Sequence, residues 1–263
     1  MTSTATTSLA ATDRGAGEPA LVFLPGWCGD RTVFDELVVG TSERRRALSV
    51  DWPGHGDTPS TTRDFTTADL VDRTLDLLEQ AGVQRVVPVA LSHAGWVALE
   101  LRRRLGSERV PALVLLDWMV LGPPPPFLDA LEGLQRPESW EQTRAALFDM
   151  WTRSLDIPPL VDYVAGMGAH GFDMWARAGR EIASSFRTEG SPLEALGRLD
   201  PPPRTLHLYA QPGDAEVLTA QQEFAAAHPW FEVRRLDARS HFPMFEVPEE
   251  MSVLVEQFVA SLP

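Results

Sequence analysis

Short apolar runs recur along the chain, each followed by a turn and then by a segment of helical spacing. That alternation predicts a mostly parallel sheet flanked by helices on both faces. Strands are expected at Ala20–Leu24, 46–50, 85–90, Ala112–Leu116, 205–209 and 232–236. Between the second and third, Thr67–Gln80 sets Leu70, Val71, Leu75, Leu77 and Leu78 mostly on one face. It is followed by Gly82, suited to the left-handed position that closes a helix. Further helices are expected at 96–105 and 249–262. Pro88 falls inside the third strand, where it removes a ladder donor, and predicts a bulge or local irregularity there.

The rhythm changes after Gly122. Four prolines at 123–126 lead into helical segments near 138–155, 160–168 and 172–186, with no strand pattern until the prolines at 201–203. Residues 122–192 are therefore expected to form a helical cap inserted into a single domain spanning 1–263, lying over the C-terminal ends of the strands, where open α/β sheets bind ligands. Composition agrees with one ordinary core: 263 residues, 44% hydrophobic and 23% charged. The balance of 37 acidic against 23 basic side chains, a formal charge of −14, disfavours nucleic acid or an anionic membrane as a partner. One cysteine, Cys28, allows no internal disulfide. The Thr/Ala-rich residues 1–19 lack the charged start and apolar run of an export signal, so a cytoplasmic protein is expected, as a monomer or homodimer.

Four places carry candidate chemistry. Val89-Ala90-Leu91-Ser92-His93-Ala94-Gly95 runs from a strand into a helix with small residues two before and two after Ser92, as a nucleophile elbow requires because its turn brings backbone against backbone. A plain helix-capping serine is the other reading. Ser240-His241-Phe242-Pro243 follows the last strand, so His241 can reach back over the sheet toward Ser92. Asp117, ending a strand beneath the cap, and Asp214, in the turn Gln211-Pro212-Gly213-Asp214, compete evenly for the acid that orients His241. The loop Leu24-Pro25-Gly26-Trp27-Cys28-Gly29 leaves the first strand where one oxyanion amide usually arises. Trp27 would give that amide and His93 the second, unless the tryptophan is simply core.

Metal and nucleotide chemistry find little support. His55-Gly56-Asp57 has the spacing of a two-histidine, one-carboxylate iron site but sits in a glycine-rich turn without a second histidine nearby, and Cys28 has no ligand spacing. No glycine-rich phosphate loop follows a strand, so no cofactor is expected. Trp118, Trp140, Trp151 and Trp175 gather in or beside the cap, where indole faces can bind a planar ring as well as pack a core.

Taken together, these residues resemble the cofactor-free 3-hydroxy-4(1H)-quinolone 2,4-dioxygenases of the α/β-hydrolase fold. The likeness covers nearly the whole chain from Ala20 onward. It rests on Leu24-Pro25-Gly26-Trp27-Cys28, Ser92-His93-Ala94-Gly95-Trp96, Asp117-Trp118 with Phe127 after the prolines, Phe148-Asp149-Met150-Trp151, the run from Phe172 through Trp175 to Arg180, His228-Pro229-Trp230-Phe231 and His241-Phe242-Pro243. The resemblance implies Asp117 as the partner of His241. It also implies that the histidine is a base toward the substrate's 3-hydroxyl and that Ser92 binds substrate without being acylated. An electron-rich enolate then offers triplet dioxygen a one-electron route. As the resemblance implies, oxygen then adds at C2, the peroxide closes onto C4, and carbon monoxide is expelled, leaving an N-acylanthranilate.

The resemblance further implies ring contacts at Met119, Phe127, Trp151, Trp175 and Ile182. At Gly29 and Leu91 this chain departs from better-known members, which carry histidines there. Both changes predict a roomier, more apolar pocket suited to a 2-alkyl substituent. The short N-terminal segment leaves the family's usual first strand without an evident counterpart. The competing functions are a serine esterase or carbon–carbon bond hydrolase using Ser92, His241 and Asp117 or Asp214, and, ranked last, a protein that binds a quinolone without turnover.

Overall fold

The computed structural model describes residues 8–61 and 63–263. Its seven strands are β1 (Ala11–Arg14), β2 (Ala20–Leu24), β3 (Ala47–Val50), β4 (Val86–Leu91), β5 (Ala112–Leu116), β6 (Arg204–Tyr209) and β7 (Phe231–Arg235). Its helices are α1 (Asp35–Ser42), α2 (Thr67–Gln80), α3 (Ala94–Arg109), α4 (Pro125–Gly133), α5 (Trp140–Thr152), α6 (Pro158–Gly168), α7 (Phe172–Glu189), α8 (Pro192–Gly197), α9 (Ala215–Ala227) and α10 (Pro248–Ala260).

The strands form one sheet in the order β1-β3-β2-β4-β5-β6-β7, parallel throughout except for β1 at its edge. Strands β2 to β5 are buried along their whole length, as the unbroken apolar runs require of a sheet covered on both faces. Each such Leu or Val contributes about 1.5–3 kcal/mol. The chain steps from β2 outward to β3 and then back across β2 to β4, so the C-terminal ends of β2 and β4 flank the point where strand order reverses. That crevice is where a doubly wound sheet offers a binding site.

Helix α2 matches its expected bounds. Thr66 and Asp69 close a capping box at its start and Gly82, at φ +66°, follows its end. Two expectations are corrected. The N-terminal segment does contain a strand, β1, paired antiparallel to β3; its four residues are mostly exposed and polar and carry no alternation to read. Pro88 makes no bulge. The β2 register runs unbroken from Ala20 opposite Val86 to Leu24 opposite Ala90, and pairing with β5 begins only at Val89, just past the position that lacks an N–H. The prolines before Phe127 open a helix, since Pro124 caps α4 and prolines occupy its first turn, where a missing N–H costs nothing. Helices α4 to α8 thus separate β5 from β6. Gly179 of α7 sits where a side chain would strike the Leu131 carbonyl of α4, so these helices pack backbone to backbone. Among the described residues, no helix is long and apolar enough to cross a membrane.

Candidate active site

At the end of β4, Ser92 holds a left-handed backbone, φ +54°, as the sharp strand-to-helix turn of a nucleophile elbow requires. Its N–H donates to Leu116 O at 2.8 Å, and Gly95 lies directly under the Trp118 ring, where any side chain would collide. Local sequence therefore makes the elbow, and the neighbouring strand end closes it. Ser92 Oγ has no hydrogen-bond partner among the described residues.

Asp117 leaves β5 in the same left-handed region, φ +44°, which turns its buried carboxylate toward the β6 end. Oδ2 accepts the N–H groups of Ala210 at 2.7 Å and Gln211 at 3.1 Å, while Oδ1 meets His241 Nδ1 at 2.8 Å. Of the two aspartates, Asp117 is the one that bonds His241; Asp214 stands at the N-terminal end of α9 and makes no bond to that ring. The His241 N–H donates to Trp151 O at 2.7 Å, and its ring stacks on Trp151 with centroids 5.3 Å apart. With Nδ1 committed to Asp117, the free ring nitrogen is Nε2, and His241 lines a cavity of about 530 Å³.

That cavity also touches Trp27, Leu91, Ser92, His93, Met119, Phe127, Trp151, Trp175 and Ile182, so eleven of the twelve expected site residues, counting Asp117 and His241, come together. The exception is Gly29. It lies outside the cavity wall, and the space above it is filled by the Tyr163 hydroxyl of α6; a glycine there admits a tyrosine, not a substrate. Leu91 is in the wall as expected. Neither the Trp27 N–H, on the loop after β2, nor the His93 N–H, at the start of α3, donates to any acceptor among the described residues, which leaves two amides without an acceptor. The loop is fixed by Trp52 Nε1 donating to Pro25 O, by the Trp27 ring stacked on Phe65, and by Arg177 of α7 lying 4.3 Å over Phe65.

Several supporting residues escaped the sequence reading. His207, fully buried on β6, accepts the Trp118 N–H on Nε2 at 3.3 Å and meets Gln221 Oε1 with Nδ1 at 2.7 Å, which fixes it as the Nδ1–H tautomer under the Asp117 turn. Gln211 Nε2 ties Met150 O, Trp151 O and Arg239 O together, joining α5 to the His241 loop. The only sequence signal for His207 was an isolated polar residue in an apolar strand. His55 proves structural, with Nε2 accepting the Cys28 N–H and Nδ1 bonded to Pro53 O. Among the described residues, no group of three or more His, Cys, Asp or Glu side chains is placed to hold a metal ion.

Burial pushes His55 and His207 down to about 4 and His93 down to about 3, assisted by His170 for the first and by His241 for the last. All three are therefore neutral in the folded chain near neutrality. Below about pH 6.5 the unfolded chain's histidines bind protons that the folded ones refuse, so stability is complete above that value. It falls as pH drops toward 4 and levels off once the folded groups titrate. Denaturant midpoints should be flat above about pH 7 and decline between about pH 6.5 and 4, by up to roughly 1.4 kcal/mol per unit per group. A flat profile across that window would show that the three rings are not buried as described.

Residues 21–252 match the family described as Alpha/beta hydrolase family. The chain is 38% identical over 235 residues to a 2-heptyl-3-hydroxy-4(1H)-quinolone dioxygenase of Mycobacteroides abscessus, covering 89% of this chain and 87% of that one. It is 32% identical over 243 residues to a 1H-3-hydroxy-4-oxoquinoline 2,4-dioxygenase of Pseudomonas putida, covering 92% and 91%. Among solved structures, AqDC in complex with its product, described as the structural basis for recognition and ring-cleavage of the Pseudomonas quinolone signal, superposes with a TM-score of 0.91. Sequence identity is 36%, over 96% of each chain.

Proposed function

The chain belongs to the alpha/beta hydrolase family and, within it, to the 3-hydroxy-4-quinolone dioxygenases, and from that premise we propose how its own residues cleave the ring. It is a ring-cleaving dioxygenase acting on a small aromatic heterocycle, a 3-hydroxy-4(1H)-quinolone bearing a 2-alkyl chain, with dioxygen as co-substrate and no resident cofactor. Residues 122–192 serve as a helical cap on a single domain.

His241 Nε2 takes the proton of the substrate's 3-hydroxyl, and Asp117 both fixes the ring's tautomer and stabilises the imidazolium. The resulting enolate is electron-rich enough to reduce dioxygen by one electron. After recombination a C2–O bond forms, and the terminal oxygen attacks C4. Collapse breaks the O–O, C2–C3 and C3–C4 bonds. One oxygen atom from dioxygen stays on C2 as the amide carbonyl and the other on C4 in the carboxylate, while C3 leaves with its own oxygen as carbon monoxide. The Trp27 and His93 amides take the charge that develops on oxygen, and the apolar wall excludes water, which strengthens both interactions. Leu91 and the apolar wall suit the alkyl chain.

The observation that carries this assignment of roles is the 2.8 Å Asp117–His241 pair, set in an aromatic-walled cavity, with Ser92 Oγ bonded to no base. The test is Ser92→Ala, followed by oxygen uptake and carbon monoxide release with 2-heptyl-3-hydroxy-4(1H)-quinolone. Losing one substrate hydrogen bond of about 2 kcal/mol should leave activity within roughly thirtyfold of wild type. Loss by many thousandfold would give Ser92 a direct part in the chemical step, and an absence of oxygen uptake by the wild type together with an acylated Ser92 would make the chain a serine hydrolase.

A further inference from the structure

Adjoining the main cavity lies a second one of about 340 Å³, between the β6–α9 loop, the end of α5 and the end of β7 with the segment after it. Three exposed arginines line it, Arg153, Arg235 and Arg239, and the two cavities share Arg153 and Gln211 as wall residues. Elsewhere at least ten arginines pair with carboxylates, as Arg31 does with Asp57 and Arg177 with Asp64, and other arginines stand singly without such a partner among the described residues. Among the described residues none of these three guanidinium groups meets a carboxylate. The only bond made is from Arg239 to the Arg153 carbonyl, at 3.4 Å. In a chain of formal charge −14, three unpaired cations around one hollow are an unmet demand for negative charge.

A second observation bears on Arg153. It and Ser154 hold successive left-handed conformations, φ +51° and +54°, at the end of α5, where glycine is the usual occupant. Such strain collects where function needs a side chain presented in one direction. Arg153 is also the one arginine in the main cavity's wall, which is otherwise largely apolar and includes Asp214. The chemistry supplies the anion. An uncharged ring carbonyl at C4 becomes a carboxylate, a charge that an apolar cavity holds poorly.

We propose that Arg153, Arg235 and Arg239 form a carboxylate-binding vestibule that receives the ring-opened product as it leaves the main cavity. This rests on the dioxygenase reading above. Arg153 takes the carboxylate from the inner chamber, and Arg235 and Arg239 hold it at the exit. The acyl chain leaves the apolar wall last. The site selects an aromatic or acyl-amino carboxylate over its uncharged ester.

The test needs no turnover. N-octanoylanthranilate and its methyl ester are titrated into the full chain, and quenching of tryptophan fluorescence is read at low and raised salt. Wild type should prefer the acid over the ester by about tenfold, with salt eroding the preference. Arg153→Gln should lower that ratio, the triple Arg-to-Gln variant should bring it to about one, and Arg239→Glu in the triple background should drive it below one. Using the ratio for each variant removes any general change in cavity shape. Equal binding of acid and ester by wild type, or an unchanged ratio in the triple variant, would overturn the proposal. Oxygen uptake with the quinolone is measured separately. A chain that consumes no oxygen yet discriminates acid from ester defeats the dioxygenase reading and leaves an aromatic-carboxylate site. A chain that turns over normally with a flat ratio defeats the vestibule alone.

Discussion

Replacing His241 with alanine should lower kcat for oxygen uptake by about 10² to 10⁴, the range in which a positioned general base acts. The imidazole touches no backbone donor of its own, and its removal leaves the Trp151 and Phe242 rings that flank it, so the cavity persists and KM should move far less than kcat. A sharper signature lies in pH. Without the base, only the fraction of substrate already ionised in solution can react with oxygen, so the variant's rate should climb with pH toward the substrate's own hydroxyl pKa, and added imidazole should restore part of it. A loss under about tenfold, or a variant profile parallel to wild type, would remove His241 from the proton transfer.

The same reasoning explains why Ser92 carries less weight than its position suggests. The elbow built around it is a consequence of the strand-to-helix turn and of Gly95 under Trp118, and any residue at that apex would be presented to the cavity. The geometry is inherited from a fold that hydrolases also use; what differs is the reactant that the base meets. An apolar chamber favours a reaction that needs proton removal and a dry, electron-rich substrate over one that needs an activated water.

Much of this was legible in the residues. Six strands and helix α2 follow from apolar runs and helical spacing, because a sheet covered on both faces writes itself as uninterrupted Val, Leu and Ala. What escaped has physical reasons. Strand β1 is an exposed edge whose residues need no pattern, and α4, which no helical spacing announced, begins in prolines whose missing N–H groups a first turn can spare. Asp117 and Asp214 looked equal because each follows a strand. Only the register that brings Leu208 O to the Asp117 N–H, and so sets the Ala210 and Gln211 amides under its carboxylate, separates them. Gly29 misled for the opposite reason. A missing side chain suggests space, but the occupant is a tyrosine 134 positions later in the chain, a contact that only tertiary structure reveals.

Those two backbone amides also make Asp117→Asn the more incisive substitution. The carboxylate accepts on both oxygens: Oδ2 from two N–H groups and Oδ1 from His241. An asparagine must keep its carbonyl toward the amides, since its NH₂ has nothing to give them, and that choice turns the NH₂ toward His241 Nδ1. The imidazole is then forced to accept at Nδ1 and to carry its proton on Nε2, the atom that should receive the substrate's. The base is present, correctly placed and in the wrong tautomer. Oxygen uptake should fall by about 10³ to 10⁴, as in a protease triad treated the same way, with folding stability nearly unchanged because every hydrogen bond is remade. Asp117→Ala leaves the two amides unpaired and should add a stability loss of about 1–3 kcal/mol to a similar kinetic defect. Asp214→Asn should cost under about tenfold, since it meets neither histidine nitrogen. If Asp117→Asn retained more activity than Asp117→Ala, the tautomer argument would fail, and Asp117 would act by positioning the ring.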